Sequence, residues 1–349
     1  MQIDFKNFDI KNILPRTEFE KKILQFLQEW FSDSETVSVQ TSGSTGIPKV
    51  FEIEKKRMLN SAKMTCDFLG LKKGDTALLC LPVQYISGKM MLVRAIERKL
   101  KVIISVPSSA PEISQNIDFC AMTPLQVQNS LDKIHFIKNL IIGGAAVSEK
   151  LKSQISRELS TINHQPSTNI YETYGMSETL SHIALKQISP VQENYFTILN
   201  DVEISVDERN CLKIFAPKLN PEILQTNDIV ELMHFDSAQG DKKQFKFLGR
   251  FDNVINSGGV KIFAEELENL VKKHIDKDLV FLGKPDETLG EKLVLVVEGE
   301  KDENLKSEIL NLKFENKFHS PKEILFLEKF PRAENGKVLR KEILKFLAD

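Results

Sequence analysis

Apolar residues along this chain recur with two different periods. Phe19, Ile23, Leu24, Leu27, Trp30 and Phe31 are spaced as on one face of a helix. Thr17 and Glu20 just ahead of them have the spacing of a capping box, which predicts a helix from there to about Ser32. From that point to about residue 185, short apolar runs alternate with amphipathic ones. The runs TALLCL (76–81), KVIISV (101–106), IDFCAM (117–122), NLIIGG (139–144) and NIYETYG (169–175) read as buried strands. The stretches 55–69, 87–99, 124–131 and 148–159 between them read as helices. Such alternation predicts a largely parallel sheet covered by helices.

Beyond Pro190 the texture changes to short strand-like runs, FTIL, VEISV, CLKIFAP, DIVELMHF and QFKFLG, punctuated by Asn, Asp, Gly and Pro. This predicts an antiparallel β region. After Arg250 a separate pattern of helices and strands begins, with EELENLVKKH and ENLKSEILNLKF as helices, LVFLG, KLVLVVEG and EILFL as strands, and a last helix from Val338. The expected class is α/β: a large domain over residues 1–250, of mostly parallel sheet with helices plus a β-rich subdomain, then a small mobile α+β domain over 251–349.

Length agrees with two domains, because 349 residues exceed the roughly 250 to 300 at which a single core stops growing. With 41% apolar and 28% charged residues, the composition is that of an ordinary folded protein. The 47 Lys and Arg against 49 Asp and Glu leave a formal charge of -2, so no global field favours nucleic acid or an anionic membrane. Cys66, Cys80, Cys120 and Cys211 stand apart in or beside apolar runs and read as buried thiols. The N-terminus lacks a basic segment leading into an apolar one, and no apolar run approaches about 18 residues. A cytoplasmic protein without membrane insertion is the expectation.

Chemistry concentrates at 37–50, VSVQTSGSTGIPKV, where a strand-like run enters a loop of Thr41, Ser42, Gly43, Ser44, Thr45 and Gly46 followed by Lys49. Backbone N–H groups freed by glycine, hydroxyl donors and one cation suit a phosphate. A plain polar turn is the alternative. A Walker loop fails because Pro48 stands where Gly is required, a nucleophile elbow fails at Ser42, and no GxGxxG occurs.

TSGSTGIPKV resembles the phosphate-binding loop of the adenylate-forming superfamily of acyl-CoA synthetases, luciferases and adenylation domains. Four further segments are similar to its motifs in the same order: YETYGMSET (171–179), TNDIVEL (226–232), FLGRFDNVINSGGVKIFAEELE (247–268) and PRAENGKVLRKEI (331–343). The resemblance implies ATP, Mg²⁺ and CoA as partners and a set of roles. Glu178 would hold Mg²⁺ with the nucleotide. Tyr174 would stack on adenine, and Gly143 and Gly144 would close over it. Ser177, where the family has Thr, would contact the α-phosphate. Asp228 would take the ribose hydroxyls and Arg250 would help hold ribose and phosphate. Asn227 replaces the family's Gly, and Asn is expected to preserve a turn of positive φ there. Asp252 matches the hinge, Lys337 the catalytic lysine, and Gly258 and Gly259 the pantetheine passage.

The chain is short for that superfamily, with its phosphate loop at Thr41, and is most similar to short bacterial o-succinylbenzoate:CoA ligases of menaquinone synthesis. LPVQYISGKMMLVRAI (81–96) resembles their acyl-site segment, which makes Tyr85, Ser87, Gly88 and Arg94 acyl-binding candidates; Tyr85 stands in place of His. Arg94 suits a dicarboxylate, an exposed helix arginine being the alternative. Another aromatic or fatty acid, a carrier-protein thiol in place of CoA, and a non-catalytic nucleotide-binding protein remain the other readings. Monomer and homodimer are both left open.

Overall fold

The computed structural model describes residues 1–40, 50–160, 168–233, 243–332 and 338–348. In chain order the first strands are β1 (Gln2–Asp4), β2 (Thr36–Gln40), β3 (Val50–Glu54), β4 (Thr76–Leu79), β5 (Lys101–Ile104), β6 (Ile117–Met122), β7 (Ile137–Ile142) and β8 (Asn169–Gly175). Then come β9 (His182–Ser189), β10 (Phe196–Ile198), β11 (Glu203–Val206), β12 (Cys211–Ala216), β13 (Asn220–Met233) and β14 (Gln244–Arg250). The helices of this part are α1 (Glu18–Trp30), α2 (Lys55–Phe68), α3 (Ile86–Arg98), α4 (Pro124–Gln128) and α5 (Glu149–Ser160).

Twelve of these strands form one sheet in the order β1-β5-β4-β6-β7-β8-β9-β10-β14-β13-β12-β11, and β2 and β3 pair separately. Only the block from β5 to β8 is parallel. The antiparallel run after Pro190 continues that sheet through β9 rather than standing apart from it, so the expected parallel block and β-rich region share one mixed sheet.

Period-2 alternation in the parallel strands sends successive residues into two layers. Ala77, Leu79, Phe119 and Ile141 join the core packed with α1, α2 and α3. Leu78, Cys80, Cys120, Met122, Leu140 and Ile142 enter the opposite core, which Val127, Leu151 and Ile155 cover from α4 and α5. All four cysteines are buried and free. Burial pushes the Cys66 thiol up to about 12, which keeps it an inert thiol at neutral pH. The predicted first helix forms with its capping box: Glu20 N donates to Thr17 Oγ1 at 3.1 Å, and Thr17 N donates to Glu20 Oε2 at 3.1 Å.

After Arg250 the chain leaves the large sheet through a short 3-10 turn at Phe251–Asn253. A second sheet follows, of β15 (Val254–Ser257), β16 (Val260–Phe263), β17 (Leu279–Asp286), β18 (Gly290–Glu298) and β19 (Glu323–Leu327). Helices α6 (Ala264–Lys272) and α7 (Glu303–Leu310) bury Leu267, Val271 and Ile309 on one face of it. Helix α8 (Arg340–Ala348) buries Ile343 on the other. No helix among the described residues is long and apolar enough to cross a membrane.

Candidate active site

Where the parallel strands end, the structure leaves a cavity of about 740 Å³, within the usual range for a small-molecule site at the carboxyl edge of an α/β sheet. Its walls are the ends of β6, β7 and β8, the following loop from Gly143 to Val147, and residues of α3, β9, β13 and β14; Glu265 and Glu268 of α6 close one side. Among the candidates, Ser87, Arg94, Gly143, Gly144, Tyr174, Ser177, Asp228 and Arg250 line it.

Tyr174 and Asp228 lie on strands separated by three others, and strands spaced by about 4.8 Å would place them about 19 Å apart in a flat sheet. Yet the Tyr174 hydroxyl donates to Asp228 Oδ2 at 2.6 Å, so the sheet curls about the cavity. The Tyr174 ring packs edge-on against Phe245 with centroids 4.9 Å apart. Burial, with Asp228 beside it, raises the phenol's pKa. Register sets the next contact: Asp228 and Arg250 are cross-strand partners, and Arg250 Nη1 donates to Asp228 Oδ1 at 3.4 Å. Each Asp228 oxygen keeps a lone pair for an incoming hydroxyl.

Asp252 is exposed and pairs with Arg250 at 3.0 Å. Asn227 needs no positive φ, contrary to expectation: it lies inside β13, and its amide donates to the Asp252 carboxylate at 3.3 Å. Gly258 and Gly259 form the two-residue turn between β15 and β16, with φ of 59° and 79°. That turn type demands positive φ at both positions, which accounts for the glycine pair. Glu178 is exposed in the 3-10 turn Ser177–Thr179, and among the described residues no hydrogen bond or ion pair engages its carboxylate. Tyr85 is the N-cap residue of α3. Gly88 lies against the backbone of Pro82, where an added Cβ would stand 2.3 Å from the carbonyl oxygen. Thr41, Ser42, Gly43, Ser44, Thr45, Gly46, Lys49 and Lys337 lie outside the described residues.

Arg94 is the most unusual group in the cavity wall. It is 2% exposed, so the reading as an exposed helix arginine fails. Its Nη2 donates to Ser181 Oγ at 2.9 Å, Nη1 reaches Met91 Sδ at 3.9 Å, and Nε has no partner. No carboxylate pairs with it among the described residues, and burial lowers its pKa to about 10. A buried cation without a counter-ion is costly, and an anion entering the cavity removes the cost.

Sequence reasoning passed over the charges beside it. Glu172 on β8 meets Lys186 of β9 at 2.9 Å and Lys152 of α5 at 3.7 Å, and Lys152 also meets Glu149 at 2.7 Å. Two cations and two carboxylates balance within that group. Its signal is visible in retrospect: in HIALKQIS, His182 and Lys186 share one strand face by period-2 spacing.

Residues 3–210 match the model of the family described as AMP-binding enzyme. The chain belongs to this family. It is similar over 99% of its length, and 99% of the other chain's, to a solved acyl-CoA synthetase (AMP-forming)/AMP-acid ligase II-like protein from Dyadobacter fermentans, at 31% identity and a TM-score of 0.65. A 2-succinylbenzoate–CoA ligase of Listeria monocytogenes is 26% identical over 95% of this chain and 73% of its own length. The o-succinylbenzoate coenzyme A synthetase of Bacillus subtilis, solved with ATP and magnesium ion, shares the fold at a TM-score of 0.68 and 18% identity, over 88% of this chain and 69% of that one. Membership in the AMP-binding family makes the cavity at the strand ends the natural place for a nucleotide.

Proposed function

We propose that this chain is an ATP-dependent acid:CoA ligase, and that its acid is o-succinylbenzoate, activated for menaquinone synthesis in the cytoplasm. Family membership and the named relatives support the reaction class. One observation carries the substrate: Arg94, buried and without a carboxylate partner among the described residues, faces a cavity whose wall also includes Leu81, Ile86, Ile141 and Leu180. An aromatic acid with a second carboxylate would pack its ring on that surface and neutralise the guanidinium.

In the first half-reaction a carboxylate oxygen of the acid attacks the α-phosphorus of ATP and pyrophosphate departs. In the second, the CoA thiol attacks the acyl carbonyl and AMP departs. The loop Thr41–Lys49 would cradle the phosphates, and Ser177 would donate its hydroxyl to the α-phosphate. Asp228, already oriented by Tyr174 and Arg250, would accept the ribose hydroxyls. Gly143 and Gly144 would border the adenine, with Tyr174 beside it. The free Glu178 carboxylate fits Mg²⁺ shared with the nucleotide, since that ion needs only one or two protein carboxylates when phosphates supply the rest. Bound there, the ion would neutralise charge on the phosphates. Lys337 would stabilise the charge developing in adenylate formation. Rotation about Asp252 would then bring the turn at Gly258 and Gly259 toward the thiol's path.

Pyrophosphate release with ATP, Mg²⁺ and CoA tests this, comparing o-succinylbenzoate, benzoate, a medium-chain fatty acid and no acid. Selective turnover of o-succinylbenzoate is expected. Turnover of another acid alone would keep the chemistry and discard the substrate.

A further inference from the structure

From the cavity wall inward, the side chains of Arg94, Ser181, His182 and Thr65 form one hydrogen-bonded line. The Thr65 hydroxyl on α2 donates to the Ser61 carbonyl at 3.1 Å. Thr65 Oγ1 is also 3.0 Å from His182 Nε2 on β9. His182 Nδ1 lies 3.4 Å from Ser181 Oγ, which accepts from Arg94 Nη2 at 2.9 Å. Thr65 and His182 are 0% and 6% exposed.

The donors and acceptors in this line can be assigned one after another. With the single Thr65 hydroxyl proton directed at the Ser61 carbonyl, its oxygen accepts from His182, which places the ring proton on Nε2. Nδ1 is then bare and accepts from Ser181. The Ser181 oxygen, its proton directed at His182, is left to accept from Arg94. Burial, reinforced by the Arg94 charge, holds the His182 pKa well below its ordinary value and keeps the ring neutral. A charged imidazolium would instead donate from Nδ1 and reverse the Ser181 hydroxyl. The two strands approach closely here, because an added Cβ on Gly175 would stand 2.5 Å from His182 Cα.

We propose that His182 is a positioning residue for acid recognition: acting through Ser181, it fixes the guanidinium of Arg94 so that its remaining N–H groups meet a substrate carboxylate in the cavity. This rests on the reading of Arg94 as the anchor of the acid's second carboxylate. Among the described residues Arg94 has one oxygen partner, Ser181, and that partner is aimed by His182.

The test compares kcat and KM for o-succinylbenzoate and for benzoate, which lacks the second carboxylate, in pyrophosphate release by the full-length enzyme. Ser181→Ala, a mild change, and His182→Leu should each raise KM for o-succinylbenzoate about tenfold, the usual cost of loosening a charge-assisted hydrogen bond, with kcat and the benzoate KM little changed. His182→Gln, with a neutral donor and acceptor, should restore most of the loss. In an Arg94→Gln background neither change should add a further effect. Equal losses for both acids, or full additivity with Arg94→Gln, would overturn the positioning role. Arg94→Gln alone leaving the KM for o-succinylbenzoate unchanged would overturn the anchor reading and this proposal with it.

Discussion

Two arginines, Arg94 buried and Arg340 half-buried, stand in opposite circumstances. Arg340, at the start of α8, meets Glu268 with Nη1 and Nη2 at 2.6 Å each and donates to the Phe281 carbonyl at 3.1 Å. Burial opposes its charge, but Glu268 more than offsets that, and its pKa is raised. Arg94 has one serine, a thioether and an unpartnered Nε, and its pKa is lowered. The protein completes the first charge and leaves the second to something that enters the cavity. A satisfied buried ion pair holds structure in place, whereas an unsatisfied one at a cavity wall marks a ligand.

The largest effect that could break this contrast is on stability. Arg340→Met would leave Glu268 buried without its partner and is expected to cost about 3–5 kcal/mol, read from denaturant unfolding. Adding Glu268→Leu should recover most of it. Arg94→Met, which removes a charge with no counter-ion among the described residues, should cost far less; equal losses at the two sites would end the comparison. Lys337 sharpens it, because it stands three residues before Arg340 yet is expected to behave like Arg94. Lys337→Ala should leave unfolding within about 0.5 kcal/mol of the parent while slowing adenylate formation by about 10²–10³-fold. If CoA capture from supplied acyl-adenylate fell equally, Lys337 would not be specific to the first step.

At Arg94 itself, Arg94→Gln should raise KM for o-succinylbenzoate by about tenfold or more, with the benzoate KM spared. The smallest effect concerns pH. His182 has a native pKa well below the unfolded value of about 6.5. Below that pH the unfolded chain takes a proton the native ring refuses, so stability present above it is lost as pH falls, by up to about 1.4 kcal/mol per unit. Melting curves between pH 7.5 and 5.5 should show the loss, and His182→Gln should flatten it.

Much of this arrangement was readable from the chain. TALLCL, IDFCAM and NLIIGG are predominantly apolar because both faces of those strands are covered, and a run of that kind announces a buried strand. The strand β9 was not anticipated: HIALKQIS carries polar residues aimed into the cavity, and these broke the apolar run. Nor could periodicity distinguish a cavity arginine from an exposed one, since α3 is buried all round from Gly88 to Ala95. At Asn227 the sequence pointed to a turn, but the residue lies inside β13 and its φ is not positive. The five motifs supplied the candidate residues, while the partners of Arg94 depend on the register of β8 against β9, which pairs Gly175 with His182.

The parallel block has a consequence for the order in which the chain is made. Its outer strands, β5 and β8, are each sealed by an antiparallel neighbour, β1 and β9. β1 precedes every strand of the block along the chain and β9 begins seven residues after β8 ends, so neither bare edge waits long for its cover. Asp228 and Arg250, on the cavity's far wall, emerge later. The nascent chain can therefore close its most aggregation-prone edges before the binding site exists, and nucleotide or acid cannot act as a template for that early stage.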